Sequence, residues 1–309
     1  MLAVVFPGQG SQAPGMGMAL YEAGGAARGV FEAVSTALGT EVAKLCFESD
    51  EDTLRQTQNA QIALYTVGLA GFAALMEADP DLPVKGAAGH SVGEYAALAA
   101  AGVFSTEEGA RLVHKRGVTM AGAGKMRPGT MAAVLGLERA AVEAACNSVT
   151  GVCVVANDNC PGQLVVSGEV EAVAEAGEAL KAAGAKRVLP LNVSGAFHSP
   201  LMDEAASSMG IALAQATFTE GHVPVYSNVT ATPGANWSNL LEEQLRSPVR
   251  WTETVQNMTR DGFDTFIESG HGSVLTGLLK RTAPDALGLT ASDPASVLAS
   301  IEAVKEGRT

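Results

Sequence analysis

The residues best suited to covalent chemistry stand in the stretch "GHSVGEY" at 89–95, where Ser91 lies between Gly89 and Gly93. Gly-x-Ser-x-Gly after an apolar run fits a nucleophile elbow, in which the serine occupies a sharp strand-to-helix turn and the glycines relieve the crowding around it. The N–H of Val92 would then fall at a helix start, where it can face a developing oxyanion. The same five residues also suit a plain N-cap serine. A serine nucleophile needs a base. Of the five histidines, His90 adjoins Ser91 and would point elsewhere on a tight turn, His114 sits on a helix flank and His222 precedes a strand. His198 in "NVSGAFHSPLMDEAA" and His271 in "ESGHGSVLTG" both fall on loops between a strand and a helix, so spacing leaves both open as the base. Arg116, at the end of "RLVHKR", is either part of a solvated helix flank or a bidentate clamp for a carboxylate.

The glycine-rich stretch "PGQGSQAPGMG" at 7–17 offers a rival chemistry, because Gly8 to Ala13 matches the dinucleotide fingerprint GxGxxA. That fingerprint requires a second strand ending in an acid about 20 residues on. The stretch in question, "GGAARGVFEAVSTALG", reads as helix, and no GK[ST] follows to make a P-loop.

The elements that must position these residues read as α/β. "LAVVF" at 2–6 is a buried strand and residues 60–78 a long, largely buried helix. A helix follows Ser91 to about Ala101, stops at Gly102, and a second helix opens at Ser105 with Glu107 and Glu108 in its first turn. From Thr130 the order becomes strand, helix, two strands, helix, strand, the split βαβ pattern of a ferredoxin-like unit. Residues 127–193 are therefore expected to form a ferredoxin-like α+β subdomain inserted in a larger, discontinuous α/β domain of residues 1–126 and 194–309. The strands of both flanking parts should build one parallel sheet from the two ends of the chain.

Composition narrows the class. With 309 residues, 47% of them apolar, the chain can bury a large core, and its net charge of -13 argues against nucleic acid or an anionic membrane as partner. The first six residues are apolar with no basic residue ahead of them, which is neither a secretory signal nor a membrane span, so a cytoplasmic location is expected. Cys46, Cys146, Cys153 and Cys160 form no CxxC pair and no zinc-type set with histidine, and are expected to be core or loop thiols.

Taken together, "FPGQGSQ", "GHSVGEY", Arg116-Gly117, "NDNCPGQ", "SGAFHSPLM", "SPVRW" and "GSVLTGL" resemble the malonyl-CoA:acyl carrier protein transacylases, in that family's order and across nearly the whole chain. The resemblance implies a hydrolase-like parallel-sheet domain with an inserted ferredoxin-like subdomain. It also implies Ser91 as nucleophile, His198 as base, Arg116 as the arginine that binds the acyl carboxylate, and the backbone amides of Gln9 and Val92 as the oxyanion hole. A main-chain carbonyl from the segment around Arg250 would orient the histidine. Phe197 would fill the space that a branched extender's methyl group needs. The substrates implied are malonyl-CoA and an acyl carrier protein, with coenzyme A released, no metal or redox cofactor, no membrane and a monomeric enzyme. Since carrier proteins of this pathway are acidic, docking is expected on Lys115, Lys125, Arg127, Lys181, Lys186 and Arg187. The rival enzyme is a serine hydrolase or thioesterase using Ser91, His271 and an acid such as Asp261 or Asp264.

Overall fold

The computed structural model describes residues 1–307. Five strands, β1 (Leu2–Phe6), β2 (Val84–Gly89), β7 (Val225–Tyr226), β8 (Thr265–Ser269) and β9 (Leu287–Ala291), form one parallel sheet in the order β7-β2-β1-β8-β9. β1 is buried along its whole length, as a central parallel strand covered by helices on both faces must be, and this is why it reads as an unbroken apolar run. The two ends of the chain supply its neighbours, as expected. The long helix Thr57–Ala78 is apolar enough to cross a membrane by length and composition, but 72% of its apolar window is buried inside the fold.

The remaining strands, β3 (Thr130–Leu135), β4 (Cys153–Cys160), β5 (Gln163–Gly168) and β6 (Arg187–Pro190), make an antiparallel sheet in the order β4-β5-β3-β6. Helices Arg139–Asn147 and Val170–Ala182 pack their buried Val142, Cys146, Val173 and Leu180 against it. β4 is also tied to the rest of the molecule, since Val249 donates to the Ala156 carbonyl and accepts from the Asp158 N–H. Two register shifts interrupt β4 between Val155 and Cys160. Bulges of this kind re-aim side chains, and here Asn157 and Asn159 turn toward the cavity described below.

Some elements went unread in the sequence. β7 is only two residues long, and β9 with the helix Pro294–Glu306 adds a fifth strand and its cover. The short helices Met18–Ala23, Val42–Glu48, Glu51–Arg55 and Trp237–Gln244 carry too few turns to show a clear period.

Candidate active site

Phe6 and Gly89 are register partners at the carboxyl ends of β1 and β2. The Gly8–Gln9 loop and the Ser91 turn therefore leave the sheet side by side, at the edge where open α/β sheets carry their ligands. Ser91 has φ 52, in the left-handed region, and the helix Gly93–Ala100 follows at once. A β-carbon on Gly89 would collide with the Gly93 backbone, and one on Gly93 with the Phe6 carbonyl, so both glycines are required by close approach. The Ser91 side chain caps no helix. Its N–H donates to Asn228 Oδ1 (2.7 Å) and its Oγ lies 2.8 Å from His198 Nε2.

His198, with φ 57, is held on both sides of its ring. Its Nδ1 lies 2.8 Å from the Gln244 carbonyl oxygen, which can only accept, so Nδ1 carries the proton and Nε2 presents a lone pair to the serine hydroxyl. The ring is 3% exposed. Burial, and then the charge of Arg116, lowers its pKa to about 3, which keeps the imidazole neutral and able to take a proton. The carbonyl that orients His198 thus belongs to Gln244 and not to Arg250. Arg250 stands at the start of the helix Trp251–Arg260, where its own carbonyl is taken by the N–H and hydroxyl of Thr254 and its guanidinium by Glu253 and the Val229 carbonyl.

Arg116 is 1% exposed, in the middle of the helix Thr106–Met126, which disposes of the solvated-flank reading. Its Nη2 donates to Ser91 Oγ (3.1 Å) and Gln244 Oε1 (2.9 Å), and its guanidinium carbon stands 5.6 Å from the Tyr95 ring centroid. Arg116 Nε is buried without an acceptor. Burial works against the guanidinium charge and lowers its pKa. Ser91, His198, Phe197, Gln9 and Met120 line a cavity of about 470 Å³ that opens between the two sheets. Among the described residues, the N–H groups of Gln9 and Val92 find no acceptor in the protein.

The rival triad does not assemble. Asp261 is engaged by the Tyr226 hydroxyl, Asp264 by the N-terminal ammonium, and His271 is absent from the cavity wall. Among the described residues no three His, Cys, Asp or Glu side chains are grouped to hold a metal ion.

The acyl transferase domain matches residues 3–303 of this chain. The malonyl CoA-acyl carrier protein transacylase of Bacillus subtilis (strain 168) is 42% identical over 313 residues, spanning 99% of this chain and 98% of the relative. The chain belongs to this acyltransferase family. The transacylase of the same name from Escherichia coli (strain K12) is 39% identical, over 97% of this chain and 98% of its own. Among solved structures, the acyl-carrier-protein S-malonyltransferase of Bartonella henselae superposes with a TM-score of 0.94 at 41% identity, covering 98% of this chain and 99% of that one. A malonyl-transacylase solved in complex with its type II PKS acyl-carrier protein gives the same TM-score at 37% identity, over 98% and 99% of the two chains.

Three residues of the site escaped sequence reasoning. Glu94, Asn228 and Gln244 are each fully buried polar side chains joined by hydrogen bonds to the Ser91 turn or to Arg116. The only signal for Glu94 was its place three residues after the serine. Asn228 and Gln244 lie more than a hundred residues away, in segments whose composition is that of ordinary surface.

Proposed function

We propose that the chain moves a malonyl group from coenzyme A to the phosphopantetheine thiol of an acyl carrier protein, in two half-reactions through an ester on Ser91. The observation that carries this reading is the buried Arg116 guanidinium, 3.1 Å from the same Ser91 Oγ that faces the His198 lone pair. A cation built against a nucleophile suits an acyl group that brings its own carboxylate, since such a pair makes parallel charge-assisted hydrogen bonds.

In the first half-reaction His198 Nε2 takes the hydroxyl proton as Ser91 Oγ bonds to the thioester carbon. The carbonyl oxygen gains charge against the amides of Gln9 and Val92, whose lack of internal acceptors supports this role. Collapse breaks the carbon–sulfur bond, and coenzyme A leaves as a thiol with the proton from His198. In the second half the carrier thiol gives its proton to His198 and attacks the ester, and Ser91 recovers its proton as the acyl thioester departs. Phe197, 5% exposed beside the base and on the cavity wall, narrows the space beside the malonyl methylene.

The enzyme acts as a cytoplasmic monomer in this reading, with residues 127–193 as the smaller unit that closes the cavity from one side. The expected result on mixing with malonyl-CoA is a gain of one malonyl group in the intact mass, located at Ser91, and none for Ser91→Ala. An unmodified wild-type protein overturns the reading.

A further inference from the structure

Two groups at the site take no part in the reaction just described. Glu94 and Gln244 have no exposed surface, yet one is a carboxyl and the other a carboxamide. Their hydrogen bonds form one directed chain. Gln244 Oε1 accepts from Arg116 Nη2 (2.9 Å), while Gln244 Nε2 donates to the Ser91 carbonyl (2.9 Å) and to Glu94 Oε2. Glu94 Oε1 accepts the Asn228 N–H (2.7 Å), and Asn228 reaches back with Oδ1 to the Ser91 N–H and with Nδ2 to the Gly89 carbonyl (2.6 Å).

The polarity of that chain is forced. A guanidinium only donates, while a carboxylate and a carbonyl only accept, so the Gln244 amide has a single orientation that satisfies all three neighbours. The carboxylate and guanidinium make no direct ion pair; the amide stands between them and carries the interaction. Burying Arg116 without an acyl group in place would leave a charge with no counter-charge, and Glu94 is the acid that faces it.

We propose that Glu94 and Gln244 are positioning residues for the transfer: anchored on the Glu94 carboxyl, the Gln244 carboxamide holds the Arg116 guanidinium against Ser91 Oγ in the orientation that receives the acyl carboxylate. The proposal rests on the malonyl-transfer reading above. Because the main-chain carbonyl of the same Gln244 holds His198 Nδ1, one residue sets both the base and the acyl-binding cation.

The experiment measures kcat and KM for malonyl and acetyl thioesters in wild type, Glu94→Gln and the exchanged pair Glu94→Gln/Gln244→Glu. In the single variant a second carboxamide faces Gln244 Nε2, so donor can meet donor and the carboxyl that anchors the amide is gone. Malonyl kcat/KM should fall by roughly tenfold or more, chiefly through KM, with acetyl kcat/KM changed by less than about threefold. The exchanged pair places an acceptor on Arg116 with a donor behind it, and gives up the donor to the Ser91 carbonyl, so malonyl kcat/KM should recover by roughly threefold or more over the single variant without reaching wild type. Malonyl transfer by Glu94→Gln within about threefold of wild type overturns the proposal. An equal fall for both thioesters with no recovery in the exchanged pair also overturns it, because that is the result of a merely structural role. Should Glu94→Gln not fold, the exchanged pair decides: folding with malonyl transfer supports the proposal, and failure to fold or to transfer overturns it. A wild-type protein that forms no malonyl adduct on Ser91 sinks the transfer reading itself, whereas an adduct with unaltered selectivity in the variants sinks only the roles of Glu94 and Gln244.

Discussion

His198 and Arg116 are both buried cation-formers within reach of one hydroxyl, and their environments separate their charge states. The imidazole, lowered to about 3 from 6.5, stays neutral while the arginine beside it stays charged. The unfolded chain therefore binds more protons at this histidine than the native state does between about pH 6.5 and pH 3. His198 contributes stability that is present above 6.5 and is lost as pH falls toward 3. Urea unfolding across pH 4–6.5 should show a steeper rise of stability with pH in wild type than in His198→Ala; matching slopes would mean that the ring titrates normally. Glu94 acts in the opposite sense, since burial raises its carboxyl to about 7 from 4.5 and its share of the stability is lost as pH rises through that value. For Arg116→Ala the expected loss in malonyl kcat/KM is about a hundredfold or more, the result of truncating one partner of a buried charge pair. Acetyl transfer should fall much less, because Gln244 and Ser91 already engage the guanidinium in the free pocket and an acetyl group asks nothing of it. A parallel fall for the two thioesters would mean that Arg116 serves the fold alone.

The site is assembled from the ends of elements rather than from their middles. β1 delivers Gln9, β2 delivers Ser91, and Asn228 follows β7 by two residues, all at one edge of the sheet. The turn at Ser91 depends on how closely three backbones approach. Gly93 sits where a methyl group would press on the Phe6 and Pro7 carbonyls, which are backbone atoms of the central strand's exit and cannot swing aside. Gly93→Ala should cost about 1–3 kcal/mol in stability by overpacking, read as a lower melting temperature, and should reduce Ser91 acylation because the elbow must open. A variant with unchanged melting and unchanged acylation would show that the turn has slack. By contrast Gly122, at which a β-carbon meets nothing within 4 Å, should accept alanine without such a loss.

Across the whole molecule the charge is -13, yet the surface proposed for the acidic carrier protein is basic. Lys115, Lys125, Arg127, Lys186 and Arg187 are exposed and make no ion pair among the described residues, while Lys181 is paired with Glu178. The five unpaired cations are therefore expected to carry the steering. Neutralising them should slow carrier-protein acylation at low salt by roughly tenfold or more and leave the acylation of Ser91 by malonyl-CoA unaltered. A rate with carrier protein that does not respond would place docking on another face. Salt should weaken the attraction of the local patch, an effect that screening of the repulsion from the net negative charge partly offsets.

What the sequence by itself determined lies in local pattern: the buried strand before each glycine turn, the Ser105 cap of the arginine-bearing helix, and the order of strands and helices between 130 and 190. These follow from period and turn chemistry within a few residues, so they can be read along the chain. Choosing His198 over His271 was beyond spacing, because both stand on strand-to-helix loops, and it is the packing of the segment after β6 against the end of the helix Trp237–Gln244 that puts His198 beside Ser91. The displacement of the orienting carbonyl from Arg250 to Gln244 has the same cause. A main-chain oxygen has no residue type to betray it, and which one meets an imidazole is decided by where the helix Trp237–Gln244 ends. The Glu94, Gln244 and Asn228 network is also a product of tertiary structure. Each of these side chains is polar and unremarkable in its own segment, and only burial, which makes an unpaired polar group costly, joins them into one chain of hydrogen bonds around the serine.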